Sequence, residues 1–233
     1  MKTFIASDFH GVNPTNLVRS LYAHGEIERA IFLGDYDEPN VLKKIKDLDI
    51  DKLVLVGNHE YEFARKSDEV GFVDPVTKWR YWKIWGDTEA GQFAREGPIK
   101  IEEELSGKRI VYLHGSLRSA HVEPQPCEVW GRLVDSGNTG FSNERRIECN
   151  FDEMKKNDYW TMFRGHDHFS RTYSANRDEY AGHMGQIRSS VSDVVLKKDD
   201  MNIVSVGAFA DGDYYVFDES TLKLEFKRVR RNV

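Results

Sequence analysis

Five short apolar runs along the chain share one design, and each leads directly into polar residues. They are rich in Val, Ile, Leu, Phe or Tyr and predict buried strands: KTFIAS, RAIFLG, KLVLVG, RIVYL and YWTMFRG. The segments between the first three runs, TNLVRSLYAHG and NVLKKIKDLD, predict helices. Because strands and helices alternate and the strands are almost continuously apolar, the pattern predicts parallel strands in an α/β protein.

The polar residues that follow the strands are of types that bind metal ions. They are Asp8 and His10 after the first run, Asp35 after the second, Asn58, His59 and Glu60 after the third, His114 after the fourth, and His166 and His168 after the fifth. Ligands in such sheets bind outside the carboxyl ends of the strands, so we expect these side chains to converge. His166 and His168 would share one face of an extended segment.

The mixture of donor types narrows the choice of metal. Carboxylates and imidazoles without thiolates suit borderline metals, and we expect Mn²⁺ first, with Fe, Zn or Ni as alternatives. There are more candidate ligands than one ion takes. Two divalent ions that share a bridging carboxylate would use them all, and paired ions are suited to in-line displacement at phosphorus.

Composition and charge argue against several other functions. The length of 233 residues predicts one domain over 1–233, and 39% hydrophobic and 31% charged residues are ordinary for a globular protein. The net charge of -6 argues against an extended nucleic acid as partner. We expect no membrane association, since no apolar run has the length of a membrane span. Cys127 and Cys149 lack a CxxC pattern, which favours free thiols in a cytoplasmic protein, and the oligomeric state stays open.

The motifs, taken in order, resemble those of the calcineurin-like metallophosphoesterase superfamily: DxH, GD, GNH(E/D), a lone H, and GHxH. This sequence has Asp8-Phe9-His10, Gly34-Asp35, Gly57-Asn58-His59-Glu60, His114-Gly115 and Gly165-His166-Asp167-His168. Five ordered motifs, each at a strand end, are far more specific than any one of them. The resemblance implies a four-layer α-β-β-α sandwich of two mixed sheets, with insertions at about 61–100 and 117–150. It also implies that MNIVSVGAF, DYYVFD and LKLEFKRV supply strands of the second sheet.

The resemblance implies a dinuclear metal centre with defined roles for the motif residues. The ligands of one ion would be Asp8, His10 and His168, and those of the other Asn58, His114 and His166, with Asp35 bridging the two. A hydroxide between the ions would attack the phosphorus. His59 would protonate the leaving oxygen or stabilise charge there.

The sequence departs from the protein-phosphatase-like relatives at two positions, which concern the residue that orients the general acid and the arginine that would bind the phosphate. Their second motif reads GDxxDRG, and its later Asp orients the general acid. Glu38 occupies the matching position here, so we predict that Glu38 orients His59, with Asp37 as the alternative. The arginine of that motif is missing. Arg118, shortly after His114, is either a phosphate-binding residue or an exposed arginine without a ligand.

The sequence leaves more than one function open. The forms of the motifs favour a phosphatase-like enzyme that hydrolyses phosphomonoesters of proteins or small molecules. The alternative enzyme is a phosphodiesterase acting on cyclic nucleotides, dinucleotides or nucleic-acid ends. In that case Trp79, Trp82 and Trp85 could stack on a base, although aromatic residues at this spacing more often belong to a core. A non-catalytic scaffold of the same fold is a further alternative, and the intact ligand set argues against it.

Overall fold

The computed structural model describes residues 1–63, 83–86, 88–118, 126–133 and 142–229. Within these residues the helices are α1 (Thr15–Ala23), α2 (Pro39–Lys46), α3 (Asn58–Phe63), α4 (Glu89–Glu96), α5 (Cys127–Trp130) and α6 (Asn143–Lys156). The strands are β1 (Lys2–Ala6), β2 (Arg29–Phe32), β3 (Asp51–Val54), β4 (Lys100–Leu105), β5 (Lys108–Leu113), β6 (Tyr159–Arg164), β7 (Arg171–Asn176), β8 (Arg188–Ser190), β9 (Val194–Val195), β10 (Asp200–Ser205), β11 (Asp213–Asp218) and β12 (Lys223–Arg228). Short 3-10 turns lie at Met184–Gln186 and Phe209–Asp211.

The strands form two mixed sheets of six strands each. The first has the order β3-β2-β1-β11-β12-β9, and β1, β2 and β3 are parallel. The second has the order β4-β5-β6-β10-β7-β8, and β5, β6 and β10 are parallel. The remaining strand pairs are antiparallel. The predicted α/β class is confirmed, and the strands that carry the motifs are divided between the two sheets.

Three hydrophobic clusters show that the sheets lie between layers of helix. Residues of both sheets, among them Ile5, Phe163 and Tyr215, form the cluster between the sheets. On the outer side of the first sheet a second cluster includes residues of α1, α2 and α4. A third cluster joins α6 to the outer side of the second sheet through residues such as Phe151 and Met162. The expected four-layer α-β-β-α sandwich is therefore the observed one.

The last two strands do not join the sheet that the resemblance implied. Strand β10 lies in the second sheet, parallel to β6, as expected. The chain then crosses to the first sheet, where β11 pairs antiparallel with β1 and β12 pairs with β11. The side chains of β11 explain this position, because Tyr215 and Phe217 enter the cluster between the sheets while Tyr214 and Val216 enter the outer one.

The two predicted insertions are only partly separate from the core. Trp85 is fully buried in the cluster under α1 and α2, so its interpretation as a core residue is the correct one, whereas Trp79 and Trp82 lie outside the described residues. The second predicted insertion ends inside α6, whose buried face packs on the second sheet. In the described part of the chain, no helix is both long and apolar enough to cross a membrane.

Candidate metal centre

The loops after the five predicted strands are bonded to one another at one end of the two sheets. Backbone N–H groups of Phe9 and His10 donate to the Asp35 carbonyl at 2.8 and 3.0 Å. Gly165 N–H donates to the His114 carbonyl at 3.0 Å, which ties the loops after β5 and β6 together. His166 N–H donates to Asp8 Oδ2 at 3.0 Å and connects the second sheet to the first. The predicted convergence of the strand ends is thus realised by direct hydrogen bonds.

Left-handed backbone conformations are concentrated in these loops. In the described residues, nine non-glycine residues have positive φ, and six of them are Asp8, His10, Asp35, Asp37, His166 and His168. Such conformations are costly for residues with a Cβ and persist where the surroundings impose them. His166 and His168, with φ of 70° and 60°, are therefore not on an extended segment, and that prediction is wrong. The two rings enter different clusters of ligand atoms.

Glycine is required where two of the loops cross. Gly34 has a φ of +104°, and a Cβ added to it would lie 2.4 Å from the backbone N of Gly57. A Cβ on Gly57 would in turn lie 2.2 Å from Asp35 Oδ1. Both distances are far below van der Waals contact, so the close approach of these two loops depends on glycine at both positions.

The first cluster contains Asp8, His10 and His168, as the resemblance implied. Each offers a ligand atom within 4.8 Å of the others. His168 Nε2 lies 3.2 Å from Asp8 Oδ1 and 3.2 Å from His10 Nε2. Asp8 is fully buried, while the His168 side chain is 43% exposed, so this cluster is the open side of the centre.

The second cluster contains Asp35, His114 and His166, again within 4.8 Å of one another. His114 Nε2 lies 3.2 Å from Asp35 Oδ2 and 2.9 Å from Asn58 Oδ1. It also lies 3.9 Å from Asp8 Oδ1, so the two clusters adjoin. All seven residues predicted as ligands are therefore together in the structure.

Hydrogen bonds on the far side of two imidazoles direct Nε2 into the centre. His114 Nδ1 lies 2.8 Å from the Leu33 carbonyl, an acceptor, so Nδ1 donates there and Nε2 faces the centre. His10 Nδ1 lies 3.0 Å from Asp37 Oδ2 and is oriented in the same manner. A histidine that binds a metal through one nitrogen usually donates from the other to a carboxylate or carbonyl, and both rings have this arrangement.

The residues present fit divalent cations. Asp8 Oδ1 is buried and accepts no well-directed hydrogen bond within the described part of the chain, although His168 Nε2 lies 3.2 Å away. A buried carboxylate oxygen without a donor is costly, and a bound cation would satisfy it. Buried carboxylates, an amide oxygen and imidazole nitrogens without any thiolate form a donor set suited to borderline metals.

The charges of the centre interact strongly with one another. Burial raises the pKa of Asp35, but the charges on His114 and His59 outweigh burial and keep that pKa well below its usual range. Burial raises the pKa of Asp8 as well, and His114 and His168 lower it overall. For His166, burial and the charge of His114 lower the pKa well below its ordinary value. Neutral His166 and ionised Asp8 and Asp35 are the protonation states that metal ligation requires.

His59 is held at the edge of the centre by Asp37, and the prediction that Glu38 orients it is wrong. His59 Nδ1 contacts Asp37 Oδ1, and His59 Nε2 lies 3.8 Å from Asp35 Oδ2. Glu38 is the exposed residue before α2, and its carboxylate lies over Gly11 instead. Pro39 at the first helical position fixes this start of α2, and the Glu38 backbone before it is extended. The carboxylate that contacts His59 is therefore that of Asp37, one residue before the position of the later Asp in the GDxxDRG motif.

His59 also forms a third group of possible metal ligands together with two residues of the first two clusters. His10, Asp35 and His59 also offer atoms within 4.8 Å of one another. The His59 backbone N–H donates to Asp35 Oδ1 at 3.0 Å, and this bond fixes the backbone from which the imidazole extends. Burial lowers the pKa of His59, but Asp35 and the hydrogen bond to Asp37 outweigh it and raise the pKa to about 10. The ring is therefore protonated in this arrangement at neutral pH.

Glu60 has a structural role that the sequence analysis did not assign. It is fully buried in the first turn of α3, and its carboxylate accepts backbone N–H groups from the loops after β2 and β3. The donors are Asp35 at 2.9 Å, Tyr36 at 2.7 Å, Asp37 at 3.2 Å and Gly57 at 3.0 Å. The position of Glu60 at the end of the GNHE motif could have indicated this role. A carboxylate that directly follows a glycine-containing loop has backbone N–H groups of that loop nearby.

A buried ion pair behind the last motif was also not predicted. Arg164 at the end of β6 pairs with Asp167, the residue between the two histidines, through Nη1 and through Nη2 at 3.2 Å. The same guanidinium donates to the carbonyls of Gly115 at 2.5 Å and Gly131 at 3.0 Å. Asp167 therefore fixes the loop that presents His166 and His168.

Arg118, the predicted phosphate-binding residue, is exposed beside α6. Asn150 of that helix binds the Arg118 backbone at both N–H and carbonyl, at 3.2 and 2.9 Å. The Arg118 charge contributes to lowering the pKa of Glu153, also on α6. Within the described residues, its side chain makes no hydrogen bond or ion pair with any of the predicted ligands.

The fold and the ligand clusters are those of a metallophosphoesterase, and comparison with known proteins identifies the superfamily. Residues 1–181 match the model of the calcineurin-like phosphoesterase superfamily domain, so the chain belongs to this superfamily. It is 26% identical over 253 aligned positions to an uncharacterized protein of Methanocaldococcus jannaschii, covering 100% of this chain and 90% of that one.

Solved structures share the fold at low sequence identity. A metallophosphoesterase from Sphaerobacter thermophilus has a TM-score of 0.67 at 19% identity, over 100% of this chain and 90% of that one. A hypothetical protein from Pyrococcus horikoshii has a TM-score of 0.65 at 17% identity, over 99% and 88%. A protein described as a novel archaeal phosphodiesterase has a TM-score of 0.51 at 15% identity, over 98% and 100%.

Proposed function

We propose that this protein is a phosphoester hydrolase that depends on two divalent metal ions. The observation that carries the proposal is the pair of adjoining clusters in which His10 and His114 present Nε2 and Asp8 presents a buried oxygen without a well-directed hydrogen bond. Asp8, His10 and His168 would hold one ion, and Asn58, His114 and His166 the other, with Asp35 shared. Mn²⁺ is the first candidate, with Fe, Zn or Ni as alternatives.

The ions and the protein would contribute different parts of the chemistry. When bound, the ions would lower the pKa of a water molecule and offset negative charge on the phosphoryl oxygens. His59, whose Nε2 is on the side of Asp35, would donate a proton from that atom to the leaving oxygen. Asp37 would keep the ring in position through its contact with Nδ1. The Leu33 carbonyl and Asp37 would fix the proton on Nδ1 of the two ligand histidines.

We propose a phosphomonoester as the substrate, from a small molecule, a nucleotide or a phosphoprotein. The phosphatase-like motif forms support this choice, and so does a general acid held at the rim of the centre, where the His59 side chain is 31% exposed. A general acid matters most for leaving groups of high pKa such as the hydroxyls of serine and sugars.

A phosphodiesterase is the second candidate, and one observation favours it. Phe169 follows the ligand His168 directly and is 59% exposed, so an apolar ring is available beside the open cluster. Exposed aromatic rings next to phosphate sites can stack on a nucleobase. The fold neighbour described as an archaeal phosphodiesterase supports this candidate as an analogy of fold.

The deciding experiment compares p-nitrophenyl phosphate with bis-p-nitrophenyl phosphate. The protein is stripped of metal and then supplied with Mn²⁺, Ni²⁺, Zn²⁺ or Mg²⁺, and Asp35→Asn serves as the inactive control. We expect metal-dependent release from the monoester and none from Asp35→Asn. Release mainly from the diester would establish the second candidate instead. Activity that persists in Asp35→Asn, or no release from either substrate with any metal, would refute the proposed function.

A further inference from the structure

Arg132 lies next to the metal centre on a segment that is attached to two of the ligand-bearing loops. The segment 127–133 consists of α5 and the three residues after it. Gly115 N–H donates to the Glu128 carbonyl at 2.6 Å, directly after the ligand His114. The Gly131 carbonyl accepts from Arg164 Nη2 at 3.0 Å, and Leu133 N–H donates to Asp167 Oδ1 at 3.3 Å. Both neighbours of Arg132 are therefore fixed to the Arg164–Asp167 ion pair.

The packing of the neighbouring residues determines the direction of the Arg132 side chain. Leu133 is fully buried in the cluster between α6 and the second sheet. The Gly131 backbone before it is extended, with φ of -68° and ψ of 119°. Adjacent side chains of an extended segment point to opposite sides, so the Arg132 side chain points away from the cluster that contains Leu133. The charge of Arg132 is one of those that lower the pKa of His166. Its effect is larger than that of Arg164, although Arg164 is closer to His166 in sequence.

The Arg132 guanidinium has no anionic partner among the residues that the structure describes. The Arg132 carbonyl accepts from Arg146 Nη1 at 3.2 Å, but the side chain itself makes no hydrogen bond or ion pair there. It is nevertheless only partly exposed. A partly buried cation beside a centre built for two dications is repelled by them unless an anion lies between. A phosphoryl group has the charge and the oxygen geometry to be that anion.

We propose that Arg132 binds a non-bridging oxygen of the phosphoryl group at the metal centre. This inference rests on the proposed function for its substrate, but it concerns phosphate binding and can be measured without turnover. Arg132 would then have the role that the sequence analysis considered for Arg118. Because Gly131 and Leu133 are fixed beside the loop that carries His166, the guanidinium would lie on the side of the second cluster.

The test compares Arg132→Ala and Arg132→Lys with Arg118→Ala, an exposed arginine on the same side of the fold. Binding of inorganic phosphate to the metal-loaded protein is measured by calorimetry, metal content by mass spectrometry, and KM and kcat with the ester that the wild type cleaves. We expect Arg132→Ala to weaken phosphate binding by about 10- to 100-fold, the usual range for a hydrogen bond to a charged group, and to raise KM similarly. Arg132→Lys should recover part of the loss, and Arg118→Ala should change either value by less than about twofold.

Three results would overturn the proposal. The first is unchanged phosphate binding in Arg132→Ala at full metal content. The second is an equal loss in Arg118→Ala, which would indicate a general effect of surface charge. The third is loss of metal from both Arg132 variants, which would make the residue part of the scaffold. If the wild type cleaves no ester but binds phosphate in an Arg132-dependent manner, the proposed function fails while this inference stands.

Discussion

Asp37 connects His10, a proposed metal ligand, to His59, the proposed general acid, through one carboxylate. Its Oδ2 lies 3.0 Å from His10 Nδ1, and its Oδ1 contacts His59 Nδ1. Asp37 has a φ of 62°, and its carbonyl accepts from the buried Trp85 Nε1 at 3.3 Å. The carboxylate is thus held in a left-handed turn by a core residue from a distant part of the chain.

The role of this carboxylate predicts how rates depend on the leaving group. We expect His59→Ala to slow hydrolysis of an alkyl phosphoester by about 100-fold or more, because proton donation contributes most where the leaving oxygen is basic. The loss with the p-nitrophenyl ester should be smaller, about tenfold or less, since that leaving group needs little protonation. Asp37→Asn should show the same trend with a smaller loss, because it removes the orienting charge and keeps the ring. Steady-state rates over a series of leaving groups measure both.

The matched control is Glu38→Gln, at the position where the family motif would place the partner. We expect its rates to follow the wild type across the series, because the Glu38 carboxylate lies over Gly11. A leaving-group trend in Glu38→Gln but not in Asp37→Asn would reverse the assignment. Metal loss in His59→Ala, seen by mass spectrometry, would instead make His59 a ligand of the third group.

At the scale of elements, the first turn of α3 fixes the geometry of two loops. Glu60 accepts four backbone N–H groups, three from Asp35, Tyr36 and Asp37 and one from Gly57. The amide of Gln at this position would turn an N–H₂ group towards N–H donors and leave at least one of them without an acceptor. The loops that carry Asp35 and Asn58 depend on this single side chain.

We therefore expect Glu60→Gln to lower the free energy of unfolding by about 2 kcal/mol, the usual cost of buried donors left unsatisfied. Metal affinity should fall as well, because the ligand loops lose their support. Urea denaturation of the metal-free protein gives the first quantity. Glu144→Gln, an exposed glutamate in the first turn of α6, is the control and should be nearly neutral. Equal stability of the two variants would contradict a supporting role for Glu60.

Glu102, on the edge strand β4, makes a pH-dependent contribution to the stability of the fold, away from the candidate metal centre. Glu102 accepts from Tyr159 Oη at 2.5 Å and from Arg109 Nη2 at 2.6 Å. The Tyr159 hydroxyl, followed by Lys100 and Arg109, outweighs the effect of burial and lowers the pKa of Glu102 to about 2. Because the pKa is lower in the folded chain than its ordinary 4.5, this group stabilises the fold above pH 4.5 and loses that effect as the pH falls towards 2.

The side chain of Glu102 is 34% exposed, so solvent screens the effect. Between pH 5 and about 2.5, the free energy of unfolding should fall further in wild type than in Glu102→Gln. We expect this difference to be less than about 1 kcal/mol. Urea denaturation at several pH values measures the difference between the two proteins. Glu104→Gln on the same strand is the control and should have the pH profile of the wild type. A steeper acid loss in Glu102→Gln than in wild type would show that the sign is wrong.

The elements show what the sequence could predict and where it failed. Apolar periodicity and the polar residue after each run predicted the strands and ligands, because both depend on local sequence. The assignment of β11 and β12 failed because sheet membership depends on which face of each strand finds the core. Glu38 was preferred over Asp37 because motif spacing ignores the left-handed turn at Asp37, which changes the direction of the chain. Arg132 carries no local motif, and only the tertiary contacts of Gly131 and Leu133 place it near His166.

At the scale of the whole molecule, the metal centre joins the two sheets. Asp8, Asp35 and Asn58 follow strands of the first sheet, while His114, His166 and His168 follow strands of the second. Asp8 and Asp35 are both buried, and the negative charge of Asp35 raises the pKa of Asp8, against the lowering effect of the neighbouring histidines. Bound dications would remove this repulsion and connect ligands from both sheets. Binding should therefore stabilise the folded chain as a unit.

We expect the melting temperature to rise by about 10–20 °C when Mn²⁺ is present at roughly 100 times its dissociation constant, because binding to the folded state alone contributes about 2.7 kcal/mol per site, or about 5.4 kcal/mol for two sites. Calorimetric scans with Mn²⁺, and again after chelation, measure the shift. If two ions connect the sheets as proposed, Asp35→Asn after a strand of the first sheet and His114→Ala after a strand of the second should each abolish most of this shift. Asp178→Asn, an exposed position after β7, should keep it. A shift that survives in both ligand variants would mean that the stabilising ions bind elsewhere, whereas loss in only one would mean that the two clusters bind metal independently.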